Sequence, residues 1–269
     1  MLVCKRCRHE ASLTAGTLLE GTCKPLRLWF LALFAMTSSK AGVSAKELQR
    51  QLGVSYPSAW AWLQKLRRCM AGGRPLLFGD VEIDEAYVGG VQTNCMGRGA
   101  MKKRVALCAV EKRRRGCGRV RLGVAQRAAK KDLEAFAEGA VSPGSAIHTD
   151  GWGGCAGLER LGYRHALTSL LRSPQPAHER FPGTHRVFSL GVAVAARNPP
   201  GSAQRQVPPR LWFDWLTTSL DEFAFRFNRR AEMRFTHIFQ ALAQRALRVP
   251  PQPVWWIVGR LEPSRPLAA

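Results

Sequence analysis

The sequence predicts an α/β protein with a small helical segment ahead of the α/β part. Three observations carry this. Residues 26–70 place apolar side chains at helical spacing and contain two helix-start signals. Residues 76–125 hold three apolar runs of strand length. An amphipathic helical stretch over 130–140 and a short strand at 145–150 follow them. The 269 residues suffice for one large domain or two smaller ones. A hydrophobic content of 46% supports a buried core and excludes global disorder. Gly and Pro show no period, which excludes a fibrous fold.

Leu26, Trp29, Phe30, Leu33 and Phe34 recur at offsets 0, 3, 4, 7 and 8, predicting one apolar helical face. Ser44-Ala45-Lys46-Glu47 is a capping box that opens a second helix, and Gly53 is placed to end it. Ser55 and Pro57 start a third helix, with proline tolerated in the first turn. It carries Trp60, Leu63 and Leu66 on one side, with Lys65, Arg67 and Arg68 elsewhere. Two helices joined by a short Gly-containing turn, after a supporting helix, predict a helix-turn-helix. Residues 58–69 are then the helix that reads DNA. The alternative is three packed helices with a solvated basic end. The tryptophans read as core anchors rather than base-stacking groups.

Residues 71–75 read as a linker. Runs at 76–88, 104–110 and 120–125 read as strands, with a basic hairpin turn over 111–116. Three antiparallel strands, a helix and a parallel strand are the order of a ribonuclease-H-like α/β core. Residues 211–247 are mostly helical and very basic. The tail from Val249 is Pro-rich, and no structure is assigned to it.

Asp80, Glu82 and Asp84 alternate at period 2 and share one strand face, while Glu85 points the other way. Acids on one face of a central strand are costly unless basic neighbours or a divalent metal pair them. Asp150 closes the last strand just before Gly151. In this strand order Asp84 and Asp150 meet at a shared site. Two carboxylates with phosphate oxygens suit Mg²⁺. The alternative is a surface acid and a helix cap, since Asp-Gly pairs mostly mark turns.

Charge fixes the kind of partner. Against 41 Lys and Arg stand 19 Asp and Glu, a formal charge of +22, so the expected partner is a polyanion. The 8 cysteines are scattered rather than concentrated, which reads as a reducing cytoplasm and not a disulfide framework. The longest apolar stretch, 26–36, is interrupted by Arg27 and is too short to span a bilayer.

Several stretches carry a resemblance. They include Pro25-Leu26-Arg27-Leu28-Trp29-Phe30, Gly42-Val43-Ser44-Ala45-Lys46-Glu47-Leu48 and Val81-Glu82-Ile83-Asp84-Glu85-Ala86-Tyr87-Val88-Gly89-Gly90. Further on come Thr149-Asp150-Gly151-Trp152, His185-Arg186-Val187-Phe188-Ser189 and Leu220-Asp221-Glu222-Phe223-Ala224-Phe225-Arg226-Phe227-Asn228-Arg229-Arg230. Together they resemble bacterial insertion-sequence DDE transposases of the ISXO type, kin of the eukaryotic Merlin elements, over about residues 4–245.

The resemblance implies four parts: a zinc-ribbon stub over 1–25, a helix-turn-helix over 26–70, a ribonuclease-H-like domain over 76–247 and a tail over 248–269. It implies cleavage at element ends and strand transfer into target DNA, with Mg²⁺ or Mn²⁺. Asp84 and Asp150 match the first two catalytic acids, and Glu222 could supply the third. His185, 35 positions after Asp150, is the rival third ligand. Arg226 and Arg229 would face phosphate or brace the site. Lys65, Arg67 and Arg68 would grip DNA. The implied partners are the element's terminal inverted repeats and target DNA, with a homodimer on two ends. The implied place is the cytoplasm, on the nucleoid.

Two departures qualify this. The family ribbon has two Cys-x-x-Cys knuckles, and only Cys4 and Cys7 are present, so a structural zinc lacks its usual four ligands and a missing start is expected. Residues 191–219 lose the family's text, and paired prolines there oppose a helix. With suitable codons a one-base shift over 194–201 restores Trp-Leu-Leu-Gly-Thr-His-Gln, so a frameshifted interval is expected. The reading therefore divides between a working transposase and an inactive copy. Its rivals are a non-catalytic DNA-binding remnant and a metal-dependent nuclease of the same fold.

Overall fold

The computed structural model describes residues 2–8, 10–39, 42–73, 75–88, 104–114, 116–150, 157–167, 181–195, 209–230 and 235–253. In chain order the first elements are β1 (Leu2–Val3), β2 (Glu10–Ala11), α1 (Leu26–Ser38), α2 (Ala45–Leu52) and α3 (Tyr56–Ala71). Next come β3 (Asp80–Val88), β4 (Arg104–Lys112), β5 (Cys117–Ala125), α4 (Lys130–Ala140), β6 (Ala146–Thr149) and β7 (Arg164–Leu167). Helices α5 (Pro182–Ala195), α6 (Pro209–Asn228) and α7 (Phe235–Ala246) complete the set. Contacts divide the chain into two compact units. One comprises Met1–Gly72, Asn198–Thr218 and Arg229–Ala269, and the other Gly73–Arg197 and Ser219–Asn228.

The first unit is helical beyond a short β1–β2 hairpin. Its caps form as the sequence predicts. The Ser44 hydroxyl accepts the Glu47 N–H, and Gly53 ends α2 at φ 63°, a left-handed conformation that suits glycine. The Ser55 hydroxyl likewise accepts the Ser58 N–H to open α3. Trp29 and Trp62 stack with centroids 4.2 Å apart, and the Trp29 indole N–H donates to Thr22. Both rings are buried, so these tryptophans are core anchors. Helix α7 packs on α1 and α3, and Arg245 donates to the carbonyls of Cys69 and Met70 at the end of α3.

The apolar face expected on α1 is only half covered. Trp29 and Leu33 are buried with Ala32 and Met36, whereas Phe30 and Phe34 are 46% and 50% exposed. The buried stripe is centred on 29, 32, 33 and 36 and leaves the two phenylalanines on its flank. On α3 the anchor is Trp62, and Trp60 is half-buried.

The second unit is built on a five-stranded sheet in the order β5-β4-β3-β6-β7. The β3–β4 and β4–β5 pairs are antiparallel, and β3–β6 and β6–β7 are parallel. The strand–strand–strand–helix–strand order matches expectation, and β7 adds a strand the sequence reading did not assign. The alternation of β3 sorts its two faces. Val81 and Ile83 join Val105, Leu107 and Ala109 under α4, through Leu133, Ala137 and Ala140. On the other face Cys108, Val110 and Val120 meet Val187 of α5 and Phe223 and Ala224 of α6. Burying each such Val or Leu is worth about 1.5–3 kcal/mol, so both helix layers are held by the sheet.

Around the atypical interval, α5 runs to Ala195 and α6 opens on Pro209, where proline fits the first helical position. Residues 196–208, which hold the rest of that interval's first half, lie outside the described residues. So does most of the Pro-rich tail, from 254 on. Among the described residues no helix is long and apolar enough to cross a membrane.

Candidate active site on the central strand

Asp80, Glu82 and Asp84 lie on the β3 face covered by α5, since their cross-strand partners Glu82↔Val110 and Asp84↔Cys108 point that way. Each acid is answered differently. The Asp80 carboxylate meets His148 Nε2 at 2.9 Å, and this hydrogen bond is the main reason its carboxyl lies below the usual range. Glu82 is 2% exposed, and its Oε2 accepts the N–H groups of Gly183 at 3.0 Å and Thr184 at 3.2 Å. These belong to the first turn of α5, so a buried carboxylate caps that helix from the sheet. The expected remedies for acids on this face were basic neighbours or a metal; for Glu82 the remedy is a helix N-terminus.

The fit at Gly183 is close. A Cβ there would lie 2.6 Å from Glu82 Oε2 and 3.2 Å from Val110 Cγ1. Glycine lets the helix end come down onto the strand.

Asp84 sits one pleat further on. Its Oδ1 accepts the Glu85 N–H at 2.8 Å, and its Oδ2 accepts the Thr184 hydroxyl at 3.3 Å. The parallel register Glu82↔His148, carried two residues on, sets Asp150 level with Asp84. Burial raises the Asp84 carboxyl, and repulsion from Asp150 adds to the rise. The Glu85 N–H, attraction from His185 and the Thr184 hydroxyl oppose it. The strand and helix thus bring Asp84, Asp150, Thr184 and His185 into one neighbourhood. A carboxylate pair held against its own repulsion is a donor set that suits a hard divalent cation. Among the described residues no three His, Cys, Asp or Glu side chains are grouped tightly enough to hold a metal ion by themselves.

The remaining site expectations fall elsewhere. Glu222 lies on α6 with its side chain 4% exposed, and Arg226 donates to its Oε1 from Nε at 3.0 Å and from the guanidinium tip at 2.8 Å. Arg229 follows the end of α6 and groups with the first unit. On α3, Arg67 is only 5% exposed. Lys65 is half-buried, its Nζ 5.9 Å from the Trp29 ring centroid, and burial lowers its pKa. Arg68 is half-buried and reaches Gln252; burial lowers its pKa against attraction from Asp214. Cys4 and Cys7 are exposed in the β1–β2 turn, where backbone hydrogen bonds from Cys7 and Arg6 lower the Cys4 thiol. Two thiols are half a structural zinc set, and His9 lies outside the described residues.

Residues 76–192 match the ISXO2-like transposase domain. Over this segment the chain is similar to insertion-sequence transposases. A curated relative agrees. An uncharacterised protein in the transposable element ISH50 of Halobacterium salinarum is 36% identical over 86 residues, 32% of this chain. That stretch covers 29% of the relative's own length. The matched transposase segment contains Asp84, Asp150, Thr184 and His185 and stops before Glu222 and Arg226. Sequence reasoning missed Glu82 as a helix cap, Thr184 as an Asp84 partner and Gly183 as their spacer. The one available signal was a Pro-Gly-Thr start ahead of an apolar helical run.

Proposed function

We propose that the chain is a DNA transposase that cleaves the ends of an insertion sequence and joins them to target DNA at Asp84 and Asp150. The observation that carries this is the convergence of those two carboxylates across the parallel β3–β6 pair inside the matched domain. The sheet order, with three antiparallel strands, a helix and parallel strands, supports a ribonuclease-H-like core. Asp84 and Asp150 would hold Mg²⁺ or Mn²⁺. Bound there, the metal would supply the Lewis acidity needed to activate a water or 3′-hydroxyl and to stabilise the leaving oxygen of a phosphodiester.

The chain's own groups keep this pair in place. Glu82 fixes the start of α5, Thr184 holds one Asp84 oxygen, and His185 offsets part of the carboxylate repulsion. His185 fits the third-ligand role better than Glu222, because the Glu222 carboxylate is committed to Arg226. In this reading α1–α3 are a helix-turn-helix that docks DNA, the hairpin around Cys4 and Cys7 is what remains of a zinc ribbon, and two chains act on two element ends. The protein works in the cytoplasm on nucleoid DNA.

A second reading, an inactive copy, is favoured by the family text lost over 191–219. The test is Mg²⁺-dependent cleavage and joining of DNA that carries the element's terminal repeats. Joined product supports the transposase, and cleavage without joining supports a nuclease. No product from this chain, with product from a frame-restored version, supports the inactive copy.

A further inference from the structure

A second charged feature lies on the same sheet face, toward the N-terminal end of β3. A cavity of about 300 Å³ opens between the β4–β5 hairpin turn and the first turn of α5. Lys112, Arg113, Arg114 and Arg186 line it, together with the carboxylates of Glu82 and Glu111. All four basic side chains are exposed. The two acids are already satisfied. Glu82 accepts the two α5 N–H groups, and Glu111 accepts the Arg119 guanidinium and the N–H groups of Arg119 and Phe78. The cations are not: among the described residues no acidic or hydrogen-bonding partner engages the guanidinium of Arg113, Arg114 or Arg186. An open cavity whose acids are engaged elsewhere, one by a helix N-terminus and one by an arginine, and whose four cations face outward attracts a polyanion.

Its position says which one. The cross-strand register sets Glu82 two residues before Asp84 on β3, and Lys112 beyond the residue paired with Val81. At about 3.4 Å per strand residue, the cavity begins about 7 Å from Asp84 and extends to about 14 Å. Successive phosphates of a DNA strand rise about 3.4 Å along the duplex axis and also turn around it, so neighbours lie about 6–7 Å apart in space. The cavity therefore lies about one to two nucleotides from a phosphodiester held at Asp84 and Asp150. Arg186 stands on the helical turn that also carries Thr184 and His185, so one element spans both places.

We propose that this cavity is a backbone-phosphate site. It grips the DNA strand about one to two nucleotides from the reacting bond and sets the direction in which the strand crosses the sheet. This rests on the reading of the domain as a DNA-joining enzyme.

The test is fluorescence anisotropy on the full chain with a labelled DNA duplex of about 20 base pairs, over a range of salt. The variant is R113Q/R114Q/R186Q. Removing three phosphate contacts lowers the slope of log affinity against log salt by about 2–3. Affinity falls at least tenfold at 0.1 M salt. R113K/R114K keeps the charge and keeps the slope. R127Q/K131Q alters two exposed cations outside the cavity, beside and within α4, and leaves the slope near wild type. An unchanged slope in the triple variant overturns the proposal, as does an equal loss in the R127Q/K131Q control. Either result leaves the transposase reading standing if Asp84→Asn still abolishes joining. A wild-type chain that binds no DNA overturns that reading as well.

Discussion

Gly183 occupies the first turn of α5, where a glycine-to-alanine change would ordinarily favour the helix by about 1 kcal/mol. Here the added methyl meets the Glu82 carboxylate at 2.6 Å and Val110 at 3.2 Å. Neither neighbour can swing away easily. Glu82 is buried and bonded to the N–H groups of Gly183 and Thr184, and Val110 is 1% exposed within the β4 core. Overpacking of this kind costs about 1–3 kcal/mol. Separating the carboxylate from one N–H donor costs about 1.5–3 kcal/mol more. Gly183→Ala is therefore expected to destabilise the unit by a net 2–4 kcal/mol or so. Two internal comparisons sharpen this. At Gly139 in α4 a Cβ meets nothing within 4 Å, so Gly139→Ala gains about 0.5–1 kcal/mol. At Gly191 in α5 it meets two Phe223 ring atoms at 3.3 Å, and the ring can tilt, so Gly191→Ala falls within about 1 kcal/mol of neutral. All three lie in the second unit, so one urea-unfolding transition reports them. The expected order of stability is Gly139→Ala, then Gly191→Ala, then Gly183→Ala. A Gly183→Ala protein as stable as wild type would refute the docking of α5 onto Glu82.

Further expectations concern charge and caps. Burial and Asp150 raise the Asp84 carboxyl, so its contribution to stability is fully present below the unfolded value of about 4 and is lost as pH rises through the folded value. Asp84→Asn should therefore raise the melting temperature at pH 7 and lose that advantage below about pH 4; a constant difference across pH contradicts the repulsion. Mg²⁺ should raise the melting temperature of wild type and not that of Asp84→Asn. Burial opposes the charge of Glu111, yet the Arg119 fork and two backbone N–H groups hold its carboxyl below the usual range. Its stability is present above about pH 4 and lost on acidification, so Arg119→Ala, at a pair partly screened by solvent, should cost about 1–2 kcal/mol at pH 7 and less at pH 3, read by urea denaturation. Ser44→Ala should cost about 1 kcal/mol by removing the α2 cap, and a neutral result would deny that hydroxyl its role.

The parts legible in the sequence are those fixed by local chemistry. Ser44, Gly53 and Ser55 mark helix ends because a hydroxyl or a left-handed glycine acts within a few residues. The pleat alone puts Asp80, Glu82 and Asp84 on one face, and the strand order alone brings Asp150 toward Asp84. What was not legible depends on contacts distant in sequence. Glu82 finds its partners about 100 residues away in α5, at Gly183 and Thr184. The phenylalanines of α1 share helical spacing with Trp29, yet Trp29 is buried against Trp62 while Phe30 and Phe34 stay about half exposed. Arg67 reads as a basic contact in a recognition helix, but α3 is enclosed on most sides, and its position on that helix is an inward one.

The measurement that bears most directly on the account is strand joining by wild type, Asp84→Asn and Asp150→Asn on DNA bearing the terminal repeats, with Mg²⁺. The account predicts joined product from an intact active centre, restored in frame where necessary. It predicts a loss of at least a thousandfold in each single variant, with DNA binding retained. Joining that persists in either variant would contradict the assignment of the reaction to this carboxylate pair.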